Sequence, residues 1–314
     1  MATALPINPI LKIVAPDLTR DLDVADDELR SLLDLAAEVK CSPARYSRAL
    51  TGKSIGLLFE KPSLRTRMTF DLAMSQMGGS SVFQEGPIGV REPLKDIARN
   101  LDRWVSAIVA RVFSQQTVED LAHWSSVPVI NALSDAYHPC QALADVQTVR
   151  ERFGGFDGLK IAFIGDGNNV AHSLMLTSLR LGMDFALACP EGYLPNPDVV
   201  TQAEGLSAVS GASLKITHSP EEAVGGAHAV YTDVWASMGQ EQEALERRKA
   251  FHAYQVNGAL MAQARPDAIF LHCLPAKRGE EVTDSVIESP QSAVFDQAEN
   301  RLHAQKALLL MMLA

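Results

Sequence analysis

Phe59-Glu60-Lys61-Pro62-Ser63-Leu64-Arg65-Thr66-Arg67 sets two hydroxyls and two guanidiniums where an apolar run gives way to a helical pattern. Such a turn leaves backbone N–H groups unpaired at the positive end of a helix, so Ser63, Arg65, Thr66 and Arg67 together suit a phosphate. A capped helix with solvated arginines has the same pattern. Arg111 ends an otherwise apolar strand, and an interior arginine needs a polar partner, either an anionic ligand or an internal salt bridge. In His138-Pro139-Cys140-Gln141, an imidazole stands at a helix start with an amide one turn on, either a working pair or a local cap. Gly165-Asp166-Gly167-Asn168-Asn169-Val170 matches the first two glycines of a GxGxxG dinucleotide loop, with Glu191 near the end of the next strand, but Val170 occupies the third glycine position. Asp233 at a strand end is suited to a cationic amine or to solvent. Cys273 lies in a strand-like apolar context, where most cysteines are small core residues.

These groups need elements to position them. Short β-rich runs alternate with amphipathic helices, which predicts parallel sheets covered on both faces. The first series has strands at Ile55 to Glu60, Ser80 to Gln84, Ser106 to Phe113 and Val127 to Asn131. Its helices are marked by Phe70, Ala73, Met74 and Met77, and by Leu94, Ile97, Ala98 and Leu101 after Pro93. A helix opened by His138-Pro139 carries Leu143, Val146 and Phe153 and ends at Gly154-Gly155. The second series has strands at Lys160 to Gly165, Phe185 to Cys189, Leu214 to Thr217, Ala229 to Thr232, Ala268 to His272 and Ala293 to Phe295. Helices follow at Asn169 to Leu181 and about Gln297 to Met312. The expected fold is α/β with two domains, 1–148 and 149–314, each a parallel sheet flanked by helices, the last helix packing back on the first domain.

Composition bounds the function class. The 314 residues are 47% hydrophobic and 21% charged, ample for two cores. A net charge of −10, from 28 basic and 38 acidic residues, argues against a broad nucleic-acid surface. No apolar stretch approaches the roughly 20 residues of a spanning helix, and Pro6 and Pro9 break an opening segment that lacks a basic leader, so a cytoplasmic protein off the membrane is expected. Cys41, Cys140, Cys189 and Cys273 include no CxxC pair, which fits a reducing compartment.

Ser63-Leu64-Arg65-Thr66-Arg67 followed by His138-Pro139-Cys140-Gln141 resembles the paired motifs of the aspartate/ornithine transcarbamoylase family. Asp233-Val234-Trp235-Ala236-Ser237-Met238-Gly239, His272-Cys273-Leu274-Pro275-Ala276 and Ala298-Glu299-Asn300-Arg301 extend the match in order along nearly the whole chain, toward the ornithine members. The resemblance implies carbamoyl transfer from carbamoyl phosphate to the δ-amine of L-ornithine, giving L-citrulline and phosphate in arginine biosynthesis, with no metal and no organic cofactor. It also implies roles: Ser63 to Arg67, including Leu64, hold phosphate; Thr66, Arg111 and His138 contact the carbonyl oxygen; Gln141, the Leu274 backbone, Cys273 and Arg301 hold the carbamoyl end. Arg111, His138 and Cys273 are the catalytic candidates. Asn169, Asp233, Ser237 and Met238 would meet ornithine, the last two on a loop resembling the family's lid. Aspartate members carry proline in place of Cys273. Subunits of a homotrimer would complete one another's sites, although Pro87 stands where many members have the glutamine that reaches across, and Leu64 replaces a threonine. A transcarbamoylase for a modified ornithine, a nicotinamide-dependent dehydrogenase built on Gly165 to Val170, and a non-catalytic phosphate-ligand sensor are the rival readings.

Overall fold

Alternation of short β-branched runs with amphipathic segments produces two all-parallel sheets in the computed structural model, which describes residues 10–236 and 241–314. The chain forms two compact units, 1–147 with 299–314, and 148–298.

The first unit opens with α1 (Asp26–Cys41), which buries Leu29, Leu32, Leu33, Ala36 and Val39 on one stripe. The side chain of Glu28 turns back to accept from the N–H groups of Ala25 at 2.8 Å and Val14 at 2.7 Å, tying down the approach to that helix. There follow β1 (Ser54–Phe59), α2 (Leu64–Gln76), β2 (Ser80–Glu85), α3 (Leu94–Leu101), β3 (Ala107–Arg111), α4 (Gln115–Trp124), β4 (Val129–Leu133) and α5 (Pro139–Phe153). The sheet order is β2-β1-β3-β4. The chain leaves β1 toward one edge and returns on the other side as β3, so the crevice outside the carboxyl ends of β1 and β3 is the topological switch point, where open α/β sheets bind ligands. Both the Ser63 turn and Arg111 stand there.

The second unit continues with β5 (Lys160–Ile164), α6 (Asn169–Arg180), β6 (Asp184–Ala188), α7 (Pro197–Ser210), β7 (Leu214–Thr217), α8 (Pro220–Val224), β8 (Ala229–Thr232), α9 (Ala244–Phe251), α10 (Gly258–Met261), β9 (Ile269–His272) and α11 (Asp284–Ile287), and α12 (Val294–Leu313) starts in it and belongs to the first unit from Glu299 on. Its sheet order, β7-β6-β5-β8-β9, puts the switch point between β5 and β8. Asn168 and Asn169 follow the first of these strands and Asp233 the second.

One expected strand is corrected. Ala293 to Phe295 does not extend the sheet: Ser292 makes a single bridge to Phe270, and the Ala293 N–H donates to the Phe270 carbonyl at 2.9 Å. The Ala293 carbonyl already accepts from the Gln297 N–H at 2.9 Å, so the helix ladder takes the backbone before a second strand pair can form. The resulting α12 buries Ala304, Ala307, Leu308, Leu309 and Leu310 completely. It packs back on the first unit through polar contacts, Lys40 Nζ donating to Asn300 Oδ1 at 2.8 Å and Lys306 Nζ to Gln76 Oε1 at 2.5 Å. Among the described residues, no helix is long and apolar enough to cross a membrane.

Candidate active site

In the first unit, Ser63 is the N-cap of α2 and its hydroxyl accepts from the Thr66 N–H at 3.3 Å. The helix's first turn then presents its residues unequally. Leu64 is 69% exposed and contributes only backbone to the turn. Arg65 is half-buried, and Arg67 is exposed with its guanidinium carbon 3.6 Å from the centre of the Phe83 ring. Thr66 is buried, and its hydroxyl accepts from Arg301 Nη2 at 3.2 Å. Arg301 Nη1 donates to Gln141 Oε1 at 2.5 Å, and the Gln141 amide donates in turn to Asp145 Oδ1 at 2.7 Å. The last bond fixes which way the amide faces. Thr66, Gln141 and Arg301, drawn from positions 235 residues apart, thus share one hydrogen-bonded chain.

Arg111 and His138 stand beside this chain, both buried. Burial first, and then the positive charges of Arg301 and Arg111, hold the His138 imidazole well below the usual histidine range, so it is neutral near pH 7. This has a measurable consequence for stability. Below about pH 6.5 the unfolded imidazole takes up a proton that the folded one refuses, so stability falls as pH falls, by at most about 1.4 kcal/mol per pH unit for one group. A His138→Gln variant is expected to show a shallower loss of urea midpoint between pH 7 and pH 5.5 than the parent. Parallel slopes would contradict the assignment.

Two supports were not legible in the motif. Glu60, just past β1, accepts from the Ile88 N–H at 3.1 Å and, through its other oxygen, from the Phe113 N–H at 2.9 Å, bracing the loop after β2 and the residues after Arg111. Asp145 holds Gln141 from one helical turn away, a spacing that could have identified it.

In the second unit, Asn168 caps α6, its oxygen accepting from the N–H groups of Val170 at 3.0 Å and Ala171 at 3.1 Å. The same amide donates to Asp233 Oδ2 at 3.0 Å, while Asn169 Oδ1 accepts from Val170 at 3.0 Å. Gly167 is required by close approach, since a Cβ there would lie 2.3 Å from the Pro195 nitrogen. Asp233 Oδ1 receives the Cys273 thiol at 3.0 Å and the Val234 N–H at 2.8 Å. Ser237 and Met238 lie outside the described residues.

The Cys273-Leu274 turn is held from beneath. His272 is fully buried; its Nδ1 accepts from the Leu274 N–H at 2.8 Å, so Nε2 carries the proton toward Glu281 Oε1 at 3.1 Å. Glu281 also accepts from the Lys277 N–H at 2.6 Å. Leu274 has φ +57° and precedes a cis bond to Pro275, and its N–H is the one engaged by His272. Asp233, His272 and Cys273 offer three ligand atoms within 4.8 Å of one another, but a cation there would have to displace the Leu274–His272 and Cys273–Asp233 bonds.

Residues 17–151 match the family model described as aspartate/ornithine carbamoyltransferase, carbamoyl-P binding domain, and residues 157–312 match the Asp/Orn binding domain of the same description. An ornithine carbamoyltransferase of Thermococcus kodakarensis is 50% identical over 309 residues, 97% of this chain and 98% of the relative. The chain belongs to the aspartate/ornithine carbamoyltransferase family. Among solved carbamoyltransferase structures, that of ornithine carbamoyltransferase from Pyrococcus furiosus superposes with a TM-score of 0.94 at 48% identity, covering 97% of this chain and 99% of that one. An acetylornithine transcarbamylase complexed with acetylcitrulline gives 0.85 at 32% identity, covering 98% and 100%. Within the carbamoyltransferase frame, the N-terminal turn of α6 is filled by its own Asn168 side chain. A dinucleotide pyrophosphate would need those same N–H groups, so the glycine-loop reading loses its anion site.

Proposed function

We propose that this carbamoyltransferase carbamoylates L-ornithine, working in arginine biosynthesis in the cytoplasm. The observation that carries the reading is the hydrogen-bonded chain Thr66–Arg301–Gln141 with Arg111 and a neutral His138 beside it, all buried. Carbamoyl phosphate supplies the charge this set matches: Ser63 to Arg67 take its phosphate, Arg111, Thr66 and His138 take its carbonyl oxygen, and Gln141 Oε1, held by Arg301, accepts from its amino end. The neutral δ-amine attacks the carbonyl carbon, forming the C–N bond. As the carbon–oxygen bond to phosphate breaks, the phosphate leaves with the electron pair and takes up the proton that the amine gives up. Preorganised donors stabilise the negative charge that develops on the carbonyl oxygen, so the protein acts through position and electrostatics.

Asn169 and Asp233 bind the amino-acid substrate, and the Cys273–Asp233 pair favours ornithine over aspartate, since a carboxylate there would repel aspartate's side chain. Relatives near half identity are named ornithine carbamoyltransferase, and one from Pyrococcus furiosus, 49% identical over 97% of this chain, carries the word anabolic. The test is citrulline formation from carbamoyl phosphate with ornithine, N-acetylornithine, aspartate and lysine as acceptors. Turnover confined to ornithine supports the reading, and turnover confined to N-acetylornithine moves it to the modified substrate.

Arg65→Ala should raise the KM for carbamoyl phosphate by about tenfold or more, because a charge-assisted contact cannot be replaced by a methyl group. Unchanged KM and kcat in the folded variant would remove Arg65 from the phosphate site. A homotrimer is supported by the exposed stripe Leu64, Met68 and Leu72 along α2 and exposed Val82 on β2, an edge strand. Sedimentation of a Met68→Glu variant is expected to show dissociation; a fully active wild-type monomer at assay concentration would refute the assembly.

A further inference from the structure

Arg247 on α9 takes no part in the substrate contacts assigned above, yet it is the most enclosed guanidinium described near the second unit's switch point, with a side chain 8% exposed. Its Nη1 donates to Asp166 Oδ2 at 2.7 Å and to the Trp235 carbonyl at 3.0 Å, and its Nε donates to Glu243 Oε2 at 3.0 Å. The Tyr193 ring centre lies 4.9 Å from the guanidinium carbon. Asp166 belongs to the turn after β5, two residues before the Asn168 cap. Trp235 belongs to the turn after β8, two residues past Asp233. The two turns are therefore joined twice, directly through Asn168 and Asp233 and again behind them through Asp166, Arg247 and Trp235.

We propose that Arg247 is a positioning residue for the amino-acid substrate, holding the Asn168–Asn169 turn, which meets ornithine's α-groups, at a fixed separation from the Asp233 turn, which meets its δ-amine; this rests on the function proposed above. The charges explain why a cation is needed. Burial first, and with it the Asp233 and Glu243 carboxylates, raises the Asp166 carboxyl above the usual carboxylate range, and Arg247 is the group that works against that rise. Without the guanidinium, Asp166 is a buried carboxylate facing a second one, and it relaxes by taking a proton or by moving. Either response carries Asn168 away from Asp233. The Asp166 and Trp235 bonds both leave Nη1 while Nε reaches Glu243, so an ammonium, with one nitrogen and no fork, meets the set only in part.

The experiment compares Arg247→Met, Arg247→Lys and the double variant Asp166→Asn with Arg247→Met, measuring KM for both substrates, kcat, and inhibition by L-norvaline, which keeps ornithine's α-groups and lacks the δ-amine. The double variant removes both buried charges, so no unpaired charge is left to unfold the unit. Ornithine KM and the norvaline inhibition constant should rise together by about tenfold or more in the methionine variants, with lysine intermediate. Carbamoyl phosphate KM should stay within about twofold. Wild-type ornithine KM and norvaline inhibition in the folded double variant would overturn the proposal, as would a fall in kcat with both KM values unchanged. The parent protein reports on the underlying function separately: if it forms citrulline, a negative result in the variants falls on Arg247 alone, whereas a parent that forms none overturns the function and this inference with it.

Discussion

Arg111→Met is expected to lower kcat by roughly a hundred- to a thousandfold, the scale seen when one donor to a developing oxyanion is removed. The geometry makes Arg111 hard to replace. All five residues of β3 are buried, and the register against β4 shifts between Ala110 and Arg111, an irregularity of the kind that re-aims a side chain at a strand end. Its backbone is pinned, the carbonyl accepting from the Glu60 N–H at 2.8 Å while Glu60 also holds Phe113. A guanidinium fixed this way costs no reorganisation when charge appears on the carbonyl oxygen. Methionine keeps much of the volume, so the loss should fall on the chemical step more than on folding. A second readout ties the effect to charge: Arg111 is one of the two cations holding His138 neutral, so its loss should move the His138 titration upward, observable by NMR of the imidazole. A kcat within tenfold of the parent in a folded variant would remove Arg111 from the carbonyl oxygen's surroundings.

What could be read from the sequence was local in origin. The Ser63 cap, the Asn168 to Val170 turn, and a charged residue ending an apolar run are fixed by neighbours a few positions away, and so the strand ends that carry the site are legible in the sequence. Helices α1, α4 and α7 carry no motif that marks them in the sequence. The supports of the site were hidden for a different reason. His272 and Glu281 hold the Leu274 turn, and Arg247 reaches Asp166 across 81 positions, but each has the sequence context of an ordinary polar residue. Ala293 to Phe295 has strand-forming composition and still turns helical, because its first carbonyl is claimed by Gln297 after one bridge. Propensity there yields to the next element's hydrogen bonds.

Cys273→Ala is expected to lower kcat with ornithine by about tenfold or more and to shift the acidic limb of kcat to higher pH, with carbamoyl phosphate KM nearly unchanged. Ornithine's δ-ammonium resembles a lysine, with an unperturbed pKa of about 10.4, so at neutral pH its lone pair is occupied by a proton that must leave before attack. Asp233 both attracts the substrate and favours its protonated form, two effects that oppose each other in turnover. The Cys273 thiol moderates the second by donating to Asp233 Oδ1 at 3.0 Å, drawing off part of the carboxylate's negative charge. Removing the sulfur leaves that oxygen with the Val234 N–H alone, so more of its charge faces the substrate. The ammonium is then held more firmly, and a higher pH is needed to reach the same fraction of neutral nucleophile. Cys273→Ser keeps a donor at the position and should recover part of the profile, which separates hydrogen bonding from packing. The turn itself should survive both changes, since His272 and Glu281 hold the Leu274 N–H and the Lys277 N–H from below. If the alanine variant keeps the parent's ornithine KM, kcat and pH profile, Cys273 is a packed core cysteine beside the site, and the neutral amine must be secured by other groups.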